Sequence, residues 1–186
     1  MNRFAELLDR LAYEPSRNNK LRLLADYFRA TPDPERGFAL AAMTGTLSFA
    51  HAKASLIRAL IAERTDPVLF AMSYDYVGDL SETVALLWPA PQTERRNVAP
   101  PSLSDVVHGL QQADKKELPQ LLASWLDDLD ETGRWALLKL ITGALRIGVS
   151  ERLAKTAVAL LGGKDANEIE EVWHGLVPPY LDLFAW

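Results

Sequence analysis

Apolar residues return every three or four positions along almost the whole chain, the spacing that gives a helix one buried face. Runs that alternate apolar and polar residues, as a half-buried strand does, are scarce. Phe4, Leu7, Leu8 and Leu11 predict a first helix stopped by Pro15. A second begins near Ser16 or Asn18, whose short polar side chains suit an N-cap, and runs through Leu24 and Phe28 to Pro32. Pro34 opens a third, ending at Gly45. Ser48 to Glu63 and Pro67 to Tyr76 predict two more, and Ser81 is placed as the cap of a short one ending at Trp88.

Four prolines between Pro89 and Pro101 then break the pattern. Beyond them helices are expected over 104–112, 116–128, 131–141, 150–161 and 167–175, with a last turn at Pro178. The fold class is therefore all-α, a bundle of about ten to twelve short helices. Residues 89–101 form a linker between expected lobes 1–88 and 102–186, within a single domain over 1–186.

Composition narrows the picture. A chain of 186 residues can bury roughly two-thirds of the surface its unfolded form exposes, so a core needs no staples. Cysteine is absent, which removes disulfide frameworks, thiolate nucleophiles and Cys-based zinc sites. The first residues show no signal-peptide apolar stretch, and no run approaches the roughly 20 apolar residues of a membrane span. A cytoplasmic, monomeric protein without membrane contact is expected.

Several possible sites dissolve on inspection. His51, His108 and His174 fall on different helices with no ligand spacing between them. Gly162-Gly163-Lys164 lacks the spacing of a phosphate loop and reads as a helix C-cap. Asp127, Asp128, Asp130 and Glu131, like Glu168, Glu170 and Glu171, read as solvated helix faces. Trp125, Trp135, Trp173 and Trp186 read as core or interdomain packing.

Net charge is −5, the wrong overall sign for gripping nucleic acid, but it is unevenly spread. Between Thr132 and Lys164 six basic residues face the single acid Glu151, a local +5 that leaves −10 elsewhere. Arg17, Lys20 and Arg22 make a smaller basic stretch. Inside the larger one, Leu140 to Leu153 reads as a helix stopping at Gly143, a turn holding Arg146 and Gly148, and a new helix capped by Ser150. Glycines allow close backbone approach, a helix N-terminus offers free N–H groups and partial positive charge, and Arg146 adds a cation. Those are the parts of a phosphate-binding turn; an ordinary glycine-capped helix connection has the same parts.

Leu145-Arg-Ile-Gly-Val-Ser-Glu151 resembles the signature turn of the N-terminal DNA-binding domain of ATP-dependent DNA ligases, in its bacterial branch. Ser16-Arg-Asn-Asn-Lys20 with the helix that follows is similar to that domain's early basic turn, Tyr76-Val-Gly-Asp-Leu80 to its central Gly-Asp element, and Glu170-Glu-Val-Trp-His174 to the helix before its catalytic core. The resemblance implies an all-helical domain that grips nicked duplex DNA through the minor groove, by phosphate contacts that position without reading sequence. By motif position it implies DNA contact at Ser16, Arg17, Asn18 and Lys20, and at Gly143, Arg146, Gly148, Ser150 and Arg152. Lys53, and after it Lys155, are further candidates.

The resemblance also implies roles in DNA repair, replication and recombination, and ATP and Mg2+ for the full-length enzyme. No lysine here has the Lys-x-Asp-Gly spacing that carries adenylate, so no cofactor and no catalytic residue are expected in this chain. The chain ends about where the family's nucleotidyltransferase domain follows. A domain of a longer, ATP-dependent ligase is expected, with that catalytic domain and nicked duplex as its partners. The alternative is a helical scaffold that binds proteins through acidic faces and has no DNA affinity.

Overall fold

The computed structural model describes residues 1–90 and 99–185, so most of the linker expected at 89–101, and Trp186, lie outside the described residues. Among those described there are twelve helices and no strand, the expected all-α class. They form two compact units, Met1–Ala5 with Phe49–Ala144, and Glu6–Ser48 with Leu145–Trp186. These units are not the sequence halves on either side of the prolines: the chain passes between them within its first helix, after Ser48 and after Ala144.

The first unit holds the start of α1 (Asn2–Tyr13), then α4 (Ala54–Ala62), α5 (Pro67–Val77), α6 (Leu80–Leu87), α7 (Leu103–Gln112), α8 (Leu118–Asp128) and α9 (Glu131–Thr142). Helix α6 packs on α9, and α4 touches α6, α8 and α9. The expected Ser48–Glu63 helix is shorter, starting at Ala54. Phe49 and Ala52 are buried from a non-helical segment just after the chain enters this unit, so their three-residue spacing reflects burial without a helix. Ser81, expected as a cap, lies inside α6; Asp79 caps it instead, accepting the Glu82 N–H at 3.1 Å. A carboxylate at that position has the stronger claim on helix N–H groups because it adds charge to the hydrogen bond.

The second unit contains the rest of α1 with α2 (Arg17–Ala30), α3 (Glu35–Met43), α10 (Glu151–Gly162), α11 (Ala166–Trp173) and α12 (Leu181–Phe184). Helix α10 is central, against α2, α3 and α11. Fully buried Leu24 and Phe28 of α2 and Ala154, Ala157 and Val158 of α10 supply apolar faces at helical spacing. Phe28 also meets Phe184, and the Arg36 guanidinium lies over the Phe184 ring while pairing with Asp33. Trp125 and Trp173 are buried, as expected, and Trp135 is half-buried.

Candidate nucleic-acid interface

Both basic turns meet in the second unit. Ser16 has extended backbone and its hydroxyl accepts the Asn19 N–H at 3.4 Å, so α2 starts at Arg17. Ser150, also extended, accepts the Leu153 N–H at 3.2 Å, so α10 starts at Glu151. A single hydroxyl satisfies one of a helix's orphan donors and leaves others facing outward. Lys20 ties the two helix starts together: its Nζ donates to the Ile147 carbonyl at 2.5 Å, across 127 residues.

The second turn is unusual in its backbone. Arg146 has φ 50°, a left-handed conformation that costs a side-chain-bearing residue about 1–2 kcal/mol, and Gly148 has φ 64°. The positive φ of Gly148 favours glycine, and a Cβ there would also meet the Lys20 ammonium, so the lysine would have to shift to admit one. Ile147 between them is buried, while Arg146 and Gly148 are exposed.

Arg17, Asn18, Arg146 and Arg152 are exposed on these helix starts, and none of the three arginines is ion-paired among the described residues. Lys20 sits differently: it is 8% exposed and its ammonium is spent on the Ile147 carbonyl. Gly143 and Lys53 belong to the first unit, where Gly143 is the left-handed C-cap of α9 and Lys53 the exposed N-cap residue of α4. Beside the first turn lies a groove of about 530 Å³ lined by Arg10, Tyr13, Glu14, Asn19 and Arg22, in which cations and carboxylates are mixed. That groove has no signal in the periodicity, because it depends on which faces of α1 and α2 are left open.

Charge along the chain is a poor guide to charge on the surface. Of the six basic residues between 132 and 164, three are buried and internally engaged. The Arg134 Nε donates to the Leu126 carbonyl at 2.6 Å. Lys139 pairs with Asp79 at 2.6 Å and with Glu82 at 3.7 Å. Lys155 pairs with Glu151 and Glu170, each at 2.7 Å, and lies over the Trp173 ring. Burial lowers the Lys155 pKa, but the two glutamates outweigh it and raise the value above that of an ordinary lysine. The local +5 thus reduces to Arg146 and Arg152, with Lys164 beside Glu168 at 3.7 Å. The i,i+4 spacing of Glu151 and Lys155 was a legible sign that this lysine is paired.

Several acids taken for solvated faces also have inward roles. Asp127 accepts the Trp88 indole N–H at 2.8 Å and pairs with Arg64, Glu168 completes a capping box with Asp165, and Glu170 neutralises Lys155. The three histidines are exposed. Among the described residues no group of three His, Cys, Asp or Glu side chains converges as a metal site would require.

A two-unit helical domain with paired, cationic helix starts is the frame into which the family comparison fits. Residues 1–159 match the family described as DNA ligase N terminus, and the chain belongs to that family, the N-terminal domain of ATP-dependent DNA ligases. The match takes in both basic turns and the Gly-Asp element, and ends ahead of the Glu170–His174 stretch. No curated protein shows significant similarity to the chain. No helix of the described residues is long and apolar enough to cross a membrane.

Proposed function

We propose that this chain binds duplex DNA at a nick, without sequence preference, through phosphate contacts along the minor groove. It does so as the N-terminal domain of an ATP-dependent DNA ligase serving repair, replication and recombination. One observation carries the reading: the Ser-capped starts of α2 and α10 are pinned together, and they present Arg17, Arg146 and Arg152 without ion partners among the described residues. Helix N-termini and unpaired guanidinium groups are complementary to a row of phosphates, and neither discriminates bases. Ser16, Asn18, Gly148 and Ser150 line the same two turns. Lys53 and Gly143 are proposed as contacts contributed by the first unit.

ATP and Mg2+ do not fit this chain. None of the seven lysines has the required Asp and Gly after it; Lys20, Lys139 and Lys155 are committed inside the fold, and the other four are exposed. Adenylate chemistry is assigned to a catalytic domain of the same polypeptide, and this domain's part is to hold the substrate.

Fluorescence anisotropy with nicked duplex tests the reading. Binding should weaken steeply with salt, and Arg146→Ala should lower affinity equally for unrelated sequences while flattening the salt slope by about 1. Absence of binding at low salt, or unchanged affinity of Arg146→Ala, contradicts it. A protein partner is the second reading, and α5 favours it: none of its residues is buried, and Val68, Leu69, Met72 and Tyr76 are all exposed. A stable partner lost on Met72→Asp, in a chain without DNA affinity, would establish that reading in place of the first.

A further inference from the structure

We propose that Lys20 is a positioning residue that fixes the orientation of the Ile147–Gly148 peptide, turning the Gly148 N–H outward as a phosphate donor. This rests on the DNA-binding reading above. The peptide bond is planar, which sets a carbonyl and the N–H that follows it in opposite directions. Lys20 comes from a helix packed beside the turn, and its buried ammonium draws the Ile147 carbonyl toward that helix at 2.5 Å. The Gly148 N–H of the same peptide therefore points away from Lys20. It makes no hydrogen bond among the described residues, and Gly148 is exposed.

The same bond explains how Arg146 keeps a left-handed backbone that a free turn would relax. Ile147, the next residue, is held at both its side chain, 3% exposed, and its carbonyl. Arg146, the Gly148 N–H and the capped start of α10 then face a ligand from one short stretch, and none of the three depends on Lys20 touching DNA. A Cβ on Gly148 would meet the Lys20 ammonium and push it from its place, so Gly148→Ala disturbs the same contact.

The test is a double-mutant cycle with nicked duplex, using Lys20→Met, Gly148→Ala and the pair, alongside 15N NMR of the Gly148 amide. Each single substitution should weaken binding about tenfold, a change of 1.4 kcal/mol, and the pair should be no more than twofold weaker than either. In the wild type the Gly148 amide proton should move downfield as DNA is added, and in Lys20→Met it should not. Effects that multiply would make Lys20 an independent contact, and a Lys20→Met affinity within twofold of wild type would remove its role; either overturns the proposal. If Lys20→Met does not fold, judged by circular dichroism, Gly148→Ala carries the same NMR test. Failure of the wild type to bind overturns the DNA-binding reading and this inference together, whereas wild-type binding with multiplying effects overturns the role of Lys20 alone.

Discussion

Two joints in this molecule are built from the same parts and end in different chemistry. At Gly78–Asp79 and at Gly148–Ser150 a left-handed glycine, φ 73° and 64°, precedes a short polar N-cap that starts a helix. Each joint receives a buried lysine from far along the chain, Lys139 at the first and Lys20 at the second. Lys139 finds two carboxylates, Asp79 and Glu82. Lys20 finds a carbonyl, and among the described residues no carboxylate pairs with it. A buried cation matched by acids closes a joint on itself. One held by a carbonyl adds no carboxylate of its own to the joint, where Arg17, Arg146 and Arg152 are exposed. The Gly-Asp element is accordingly a joint closed by ion pairs, while the Arg-Ile-Gly turn is the one proposed to meet a phosphate.

Removing the acid from the closed joint should have the largest effect. Asp79→Ala strips Lys139, whose side chain is 3% exposed, of its closer partner and α6 of its cap. The expected loss is about 3 kcal/mol, toward the low end for a broken buried pair because Glu82 remains at 3.7 Å. Urea unfolding measures it. Lys20→Met, at the open joint, should cost only about 1 kcal/mol, since one hydrogen bond to a carbonyl is lost and no charge is orphaned. Comparable losses at the two sites would erase the distinction between them.

The joints should also part on acidification. Burial, the largest influence on the Asp79 carboxyl, pushes its pKa up, but the Lys139 hydrogen bond and charge and the N–H groups of Glu82 and Ser81 outweigh it and hold the value below that of an ordinary aspartate. Its folded value therefore lies below its unfolded one, so its contribution is present above about pH 4 and is lost as pH falls through the folded value. Asp79→Asn should lose less stability than wild type across that window. Lys20→Met should keep the wild-type slope, because among the described residues no carboxylate pairs with Lys20. Stability measured against pH for the three proteins decides the point.

The fold was legible because helical periodicity is a local property: eleven of the twelve helices sit on apolar stripes visible in the chain, and α12 begins close to the turn expected at Pro178. Where Phe49 and Ala52 are buried without a helix, the same spacing misled, since burial alone produces it. The site was half legible. Ser16 and Ser150 announce themselves as caps, and Gly148 and Arg146 as a turn. The fate of each lysine was not, because whether Lys20 or Lys139 meets solvent, a carbonyl or a carboxylate depends on partners 127 and 60 residues away. The interleaving of the two units was hidden for the same reason: prolines mark where helices stop, not which helices share a core.

The smallest effect gives the sharpest test, because stability and binding should move in opposite directions. Asn18 is exposed in the first turn of α2, whose first turn carries no acid. In an ordinary helix a carboxylate there is favourable, interacting with the free N–H groups and the dipole for about 0.5 kcal/mol. Asn18→Asp should therefore raise the unfolding midpoint slightly. If the start of α2 is a phosphate contact, the same carboxylate repels the ligand, so affinity for nicked duplex should fall severalfold and the salt slope flatten. The matching change at another exposed position in a first turn without an acid, Gln120→Asp in α8, should leave DNA affinity unchanged. Thermal melts and anisotropy on the two variants separate the cases: lower affinity from Asn18→Asp alone, with stability retained, identifies a helix start that forgoes its own stabilising acid to keep room for a phosphate.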